Sequence, residues 1–258
     1  MKLKLIALAA MLAAGSANAA IVDGSTGNGE LFMTVLDSVG LKSYTLDLNL
    51  TMNDFLAGIA VSGASYNYAA DANMTSFLSL VAPADKSSLV FAIGAMDTSG
   101  ATATDFHRYI TTASVIDPIT DTNLNLKQLG TSGATFLGNA NGLIGGANSL
   151  IVTDSALVAY AGSAQWGSNW GNAFNGTSTG LVGGDLNMYL LAQTSGTFAS
   201  RLNSSVYSAI GQGGSQVLAN LDTSGNLVIS AVPEADTYAM MLAGLGLVGF
   251  MAARRRAA

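Results

Sequence analysis

Ser43-Tyr44-Thr45-Leu46-Asp47-Leu48-Asn49-Leu50 alternates without a break. Tyr44, Leu46, Leu48 and Leu50 fall on one side, and Thr45, Asp47 and Asn49 on the other. Successive side chains of a strand point to opposite faces, so this period of two predicts a half-buried β-strand. Just upstream, Leu31-Phe32-Met33-Thr34-Val35-Leu36 is an apolar run closed by the turn residues Asp37-Ser38. Two such runs joined by a short turn predict a hairpin.

Outward from this pair the same signature recurs. Leu89-Val90-Phe91-Ala92-Ile93-Gly94 reads as a buried strand. Residues 105–113 read as another, with Phe106, Arg108 and Ile110 opposed to His107, Tyr109 and Thr111. Residues 154–160 and 185–193 continue the pattern, whereas 199–210 suit either a strand or a helical face. Residues 215–222 and 226–230 flank Asp222-Thr223-Ser224-Gly225, a hairpin turn by composition. Met52 to Val61 reads as a short helix, with Thr51 or Asn53 as its cap. The glycine- and asparagine-rich residues 138–149 read as a surface loop, because glycine costs backbone entropy and offers nothing to pack. Many short strands between such turns predict a mainly β passenger, an antiparallel sandwich or jelly roll. No repeat of 20–50 residues is evident, which argues against a solenoid.

The two ends are of different character. Lys2 and Lys4 precede an apolar stretch from Leu5 to Ala14, and Ala17-Asn18-Ala19 has the form of a signal-peptidase site. Cleavage after Ala19 is expected, so residues 1–19 read as a signal peptide. At the other end, Tyr238 to Ala253 carries no charge and is followed by Arg254-Arg255-Arg256. A helix over 238–253 would cover roughly 24 Å, slightly short of a ~30 Å hydrocarbon core. The arginines are expected to stay on the cytoplasmic side as a stop. Gly244, Gly246 and Gly249 match a dinucleotide-binding pattern, but the chain supplies no following helix or acidic residue, so they read as small residues for packing in lipid.

Val232-Pro233-Glu234-Ala235-Asp236-Thr237, the apolar run to Phe250 and the three arginines together resemble the PEP-CTERM sorting signal of Gram-negative bacteria. Pro233 and Glu234 match the usual Pro-Glu-Pro core, and Ala235 stands at its third position. The resemblance covers residues 232–256, about a tenth of the chain. It implies recognition by an exosortase, an integral-membrane cysteine peptidase that removes the tail and passes the protein towards the surface. It also implies an association with extracellular polysaccharide and biofilm matrix. Within it, Val232, Pro233, Glu234 and Ala235 are residues read by a processing enzyme. Gly27-Asn28-Gly29-Glu30-Leu31-Phe32 and Ser43 to Leu48 also look like segments of other passengers bearing this tail, with no chemistry attached.

Between the signals lies a passenger of residues 20–231, read as one β-rich extracytoplasmic domain. Its cations are Lys42, Lys86, Arg108, Lys127 and Arg201, five against fourteen acidic residues, a formal charge of −9. The whole-chain value of −6 conceals this, because the other five basic residues sit in the terminal signals. Such a surface repels nucleic acid and anionic headgroups. There is no cysteine, which excludes disulfides, thiolate metal sites and a cysteine nucleophile.

His107 is the sole histidine, so a serine triad would have to use it, with Asp105 on the same strand face. No G-x-S-x-G elbow accompanies it, and a surface histidine on a strand is the simpler reading. A histidine-rich zinc site is excluded by the count. A glycosidase would need two facing carboxylates, for which Asp97, Asp105, Asp117, Asp121 and Asp154 are the candidates; aspartates beside such neighbours are more often turn residues. Trp166, Trp170 and Phe174 recur every four residues, in company with Gln165 and several asparagines. Exposed, they would form an aromatic platform for sugar; buried, they belong to the core. No calcium loop, Walker motif or cofactor motif is present, and the sequons at Asn49, Asn73, Asn175 and Asn203 follow from composition. The expected protein is non-enzymatic, displayed or released outside the cell, and acts by assembly or adhesion. Its expected partners are signal peptidase, exosortase, the membrane before processing, and polysaccharide or further copies of itself. The alternatives are a carbohydrate-binding module and, less readily, a secreted glycoside hydrolase.

Overall fold

The computed structural model describes residues 20–60, 64–99, 108–114, 123–162, 178–192, 208–209 and 216–231. The predicted hairpin is present as β1 (Glu30–Asp37) and β2 (Lys42–Thr51), paired antiparallel from Asp37↔Lys42 to Phe32↔Asp47. Asp37 holds the turn by accepting from the Gly40 amide at 2.7 Å. Past Asp47 the register slips before Glu30↔Thr51. In this irregular stretch Asn49 takes a left-handed φ of 50°, and the Asp47 carboxylate accepts from its amide at 2.8 Å. Asparagine tolerates this conformation better than most residues.

Thr51 then caps helix α1 (Met52–Ile59), accepting from the Asp54 amide at 3.3 Å while its hydroxyl donates to the Asp54 carboxylate at 2.6 Å. Thr51 is therefore the N-cap residue, which answers the choice between Thr51 and Asn53. The remaining elements are β3 (Ser65–Tyr68), α2 (Ala72–Leu80), β4 (Val90–Asp97), β5 (Arg108–Ala113), α3 (Asn123–Ile144), β6 (Ser149–Val152), β7 (Gly180–Leu181), β8 (Asp185–Ala192), β9 (Ser208–Ala209), β10 (Val217–Leu221) and β11 (Leu227–Ala231). The last two are the predicted hairpin around Asp222–Gly225, where Asp222 accepts from the Ser224 and Asn226 amides.

All these strands join one antiparallel sheet in the order β3-β11-β10-β8-β5-β4-β1-β2-β6, with β7 on β4 and β9 on β8. Strands that the sequence distributes over the layers of a sandwich or jelly roll thus lie on a single hydrogen-bonded path. The sheet curls into a half-barrel. One bond shows the curl directly. Tyr68 of β3 donates its hydroxyl to the Leu48 carbonyl of β2 at 3.1 Å. These strands are seven steps apart along the sheet, about 34 Å if it were flat.

The concave face holds the main core. Leu31, Met33 and Val35 of β1, Phe91 and Ile93 of β4, Met188 of β8, Ala219 of β10 and Ile229 of β11 pack there with Phe55 and Ile59 of α1 and Met74 and Phe77 of α2. On the convex face, Phe32, Ala92, Met96, Tyr109 and Leu191 pack against Phe136, Leu137 and Ile144 of α3. The central strands are therefore buried on both sides, which is why β4 reads as a continuous apolar run rather than an alternating one.

Two expectations are overturned. Residues 138–144 belong to α3 and not to a loop, and only Gly145–Asn148 lie between the helix and β6. The buried face is Gly130, Gly133, Phe136, Leu137, Ala140 and Ile144, spaced as a helical stripe. Its small residues let the helix approach the sheet: a side chain on Gly130 would meet Thr98 and the Tyr109 hydroxyl. Residues 154–160 form turns instead of a strand. Asp154 accepts from the Ala156 amide through its side chain at 2.9 Å and from the Leu157 amide through its carbonyl at 3.2 Å. The strand in this region is β6, a few residues earlier.

Candidate functional site

β1 and β5 begin, and β2, β4 and β8 end, at one rim of the sheet, here called the base. The other rim carries the β1–β2 turn and is called the tip. The chain enters at the base: the Glu30 amide bonds the Val22 carbonyl, the Gly29 amide bonds Met96, and the Thr98 amide bonds Gly24, each at 2.9 Å. Gly24 has a φ of 76°, and a side chain there would overlap the Met96 carbonyl, so this entry loop requires glycine.

The base carries a connected set of polar side chains. Asp97 ends β4 and Arg108 opens β5, and the antiparallel register sets them directly opposite. Arg108 donates from Nη2 and Nε to Asp97 Oδ2 at 2.7 and 3.2 Å, and from Nη2 to Asn53 Oδ1 at 3.1 Å. Ser99 donates to the other Asp97 oxygen at 2.9 Å, and Asn28 accepts from the Asn53 amide at 2.8 Å. Burial alone would raise the Asp97 pKa, but the bonds from Arg108 and Ser99 prevail and hold it below the ordinary carboxylate range. A carboxylate so engaged is a structural ion-pair partner and is poorly placed to act as an acid or nucleophile.

Asp47 is the opposite case. Its side chain was expected on the solvent face of β2, yet it is 2 % exposed, and Thr45 beside it is fully buried. Burial pushes the Asp47 pKa up to about 6, against the hydrogen bond from Asn49, with the Glu30 charge adding to the rise. Its Oδ2 has no hydrogen-bond partner.

The predicted site residues divide sharply. Asp97 is bound to Arg108, and Asp154 is a turn residue. Asp105, Asp117, Asp121 and His107 lie outside the described residues, as do Trp166, Trp170 and Phe174. The same holds for Ala17 and Ala19, for Val232, Pro233, Glu234 and Ala235, and for the 238–253 run with Arg254, Arg255 and Arg256. Among the described residues no group of three or more acidic or histidine side chains is placed to hold a metal, and no helix is long and apolar enough to cross a membrane. The Asp97–Arg108 pair escaped the sequence reading. Its signal was there: one of few passenger cations stands at a strand start, and an aspartate ends the preceding strand.

β11 ends at Ala231, and its amide still bonds the Ala64 carbonyl at 3.1 Å. The model for the PEP-CTERM protein-sorting motif matches residues 231–256, beginning at that last strand residue. The chain carries the PEP-CTERM protein-sorting motif. The PEP-CTERM motif implies an exported protein whose C-terminal signal is addressed to an exosortase. The match leaves the passenger itself unassigned: no curated protein and no solved structure matches this chain.

Proposed function

We propose that this PEP-CTERM protein is a non-enzymatic surface or extracellular-matrix component. Residues 1–19 direct export and are removed after Ala19. The 238–253 helix and Arg254–Arg256 then hold the chain in the inner membrane until exosortase, reading Val232 to Ala235, detaches the tail. The passenger persists outside the cell and acts by assembly or by adhesion to polysaccharide. The observation that carries this reading is the sorting motif matched at 231–256.

The described part of the passenger is in keeping with a structural role. Its polar base is satisfied internally by an ion pair, and its two described candidate carboxylates are occupied in an ion pair and a turn. Intact-mass measurement of the protein from the producing cells tests the reading. A species starting at Ala20 and lacking the residues after the motif is expected. The full untrimmed chain, recovered from the cytosol, would refute it.

The aromatic platform of Trp166, Trp170 and Phe174 remains our proposal for any sugar contact. Pull-down on extracellular polysaccharide should retain the passenger and release the Trp170→Ala variant.

A further inference from the structure

We propose that, while its tail is in the membrane, the passenger stands with the base of its sheet towards the lipid and its tip away from it. This rests on the sorting reading above and extends it to an orientation.

Three observations carry it. First, the residue after Ala231 is already Val232 of the sorting motif, and only six residues, Val232 to Thr237, separate β11 from the apolar run. Fully extended, six residues span about 21 Å. Second, β11 runs towards the base: Ala231 pairs with Val217, Leu218 with Asn187, and β8 continues from there to Ala192 opposite Arg108. The curl carries β11 further the same way. Tyr68, paired with Leu227 at the start of β11, closes onto Leu48 near the base end of β2. Strands in a closing sheet tilt and stagger in this manner. Ala231, at the far end of β11 from Leu227, is thereby brought to the base. Third, the described N-terminal segment, residues 20–29, also reaches the sheet at the base, through Glu30, Met96 and Thr98.

Length then decides between orientations. β1 has eight residues and so measures about 26 Å from base to tip. With the tip against the lipid, the connecting residues would have to run back along the whole sheet, which exceeds their extended reach. The base-down arrangement needs no such detour. It also sets the exposed Val39 and Leu41 of the tip turn at the greatest distance from the bilayer. The surface facing the lipid is then polar and includes Asn28, Asn53 and the Asp97–Arg108 pair.

The absence of cysteine makes the test direct. Thr26→Cys at the base and Val39→Cys at the tip, both exposed positions, are each labelled with one fluorophore in the full-length chain. The chain is reconstituted into phosphatidylcholine vesicles carrying a headgroup-attached quencher. Quenching several-fold stronger at position 26 than at position 39 is expected. Insertion of a twelve-residue Gly-Ser linker between Ala231 and Val232 should largely erase the difference. Equal or reversed quenching on vesicles that retain the chain would overturn the orientation alone. A difference unaffected by the linker would overturn the short connection as its cause. Failure of the chain to associate with vesicles would overturn the membrane reading of the tail, and the orientation with it.

Discussion

The hydroxyl of Tyr68 and the carbonyl of Leu48, 3.1 Å apart, fasten β3 to β2 across the open side of the curled sheet. The bond forms where β2 leaves regular pairing after Asp47 and Asn49 turns left-handed. Burial raises the Tyr68 pKa well above the ordinary tyrosine range, so the hydroxyl stays a donor at any physiological pH. Tyr68→Phe removes the donor and keeps the ring. It should cost about 1 kcal/mol and lower Tm by about 2–4 °C, measured by thermal unfolding of the passenger. An unchanged Tm would show that the sheet closes without it.

Asp47 should make the passenger more stable in mild acid than at neutral pH, as far as this group is concerned. An unfolded aspartate titrates near 3.9, whereas burial raises the folded value to about 6. The folded state therefore holds the proton more tightly, and stability falls as pH rises from about 4 to about 6, then levels off. Asp47→Asn mimics the protonated form. It should stabilise by about 1–2 kcal/mol at pH 7.5 and by almost nothing at pH 4, read from urea unfolding at both pH values.

Arg108→Met should act in the other direction. The Asp97 pKa lies below the ordinary value, so its contribution is present above about pH 4 and is lost as pH falls through the folded value. Without its partner, the largely buried Asp97 carboxylate loses charged hydrogen bonds, at a cost of about 1–2 kcal/mol at pH 7 after allowance for partial exposure. Asp97→Asn in the Arg108→Met background should recover part of that loss. No recovery in the double variant would show that the cost lies in packing of the arginine stem.

Gly225 has a φ of 90° in the β10–β11 turn, and a side chain there would meet Met74 of α2. Gly225→Ala should destabilise by about 1–3 kcal/mol, from backbone strain and the displaced methionine together. Chemical denaturation against the parent measures it, and a neutral result would mean that the turn has another conformation open to it.

Pro233→Ala with Glu234→Ala should leave the tail on the chain. The mature species should then be heavier by the mass of the unremoved residues, and it should fractionate with membranes. Normal trimming in this double variant would show that these two positions are not what the processing enzyme reads.

The parts of the fold legible in the sequence were those where one local rule governs the backbone. The alternation of Tyr44 to Leu50, the Asp222–Gly225 turn and the Thr51 cap are each decided within a few residues. The run around Phe91 was legible as buried because its strand is covered on both faces. What escaped depends on distant partners. α3 contains four glycines, a composition that opposes a helix on intrinsic grounds. It forms because small residues at 130, 133 and 140 let Phe136 and Leu137 seat on the sheet. Asp47 looked solvent-facing since alternation reports which residues differ, and cannot report that a second layer covers the polar side. The sheet's single curled path was hidden for a related reason: nothing local announces that β3 joins β11 or that Tyr68 meets Leu48.

β3 pairs along its length with a strand that is completed only at Ala231. Even the turn beside it waits, since the Ala70 amide bonds the Asn226 side chain 156 residues later. On the export route proposed above, a chain threaded through a membrane N-terminus first cannot finish this architecture while its last strand is still on the cytoplasmic side. The passenger's early segments must travel without their permanent partners, and the final assembly coincides with arrival of the residues next to the sorting motif. Completion of the fold and readiness for trimming are thereby made nearly simultaneous events.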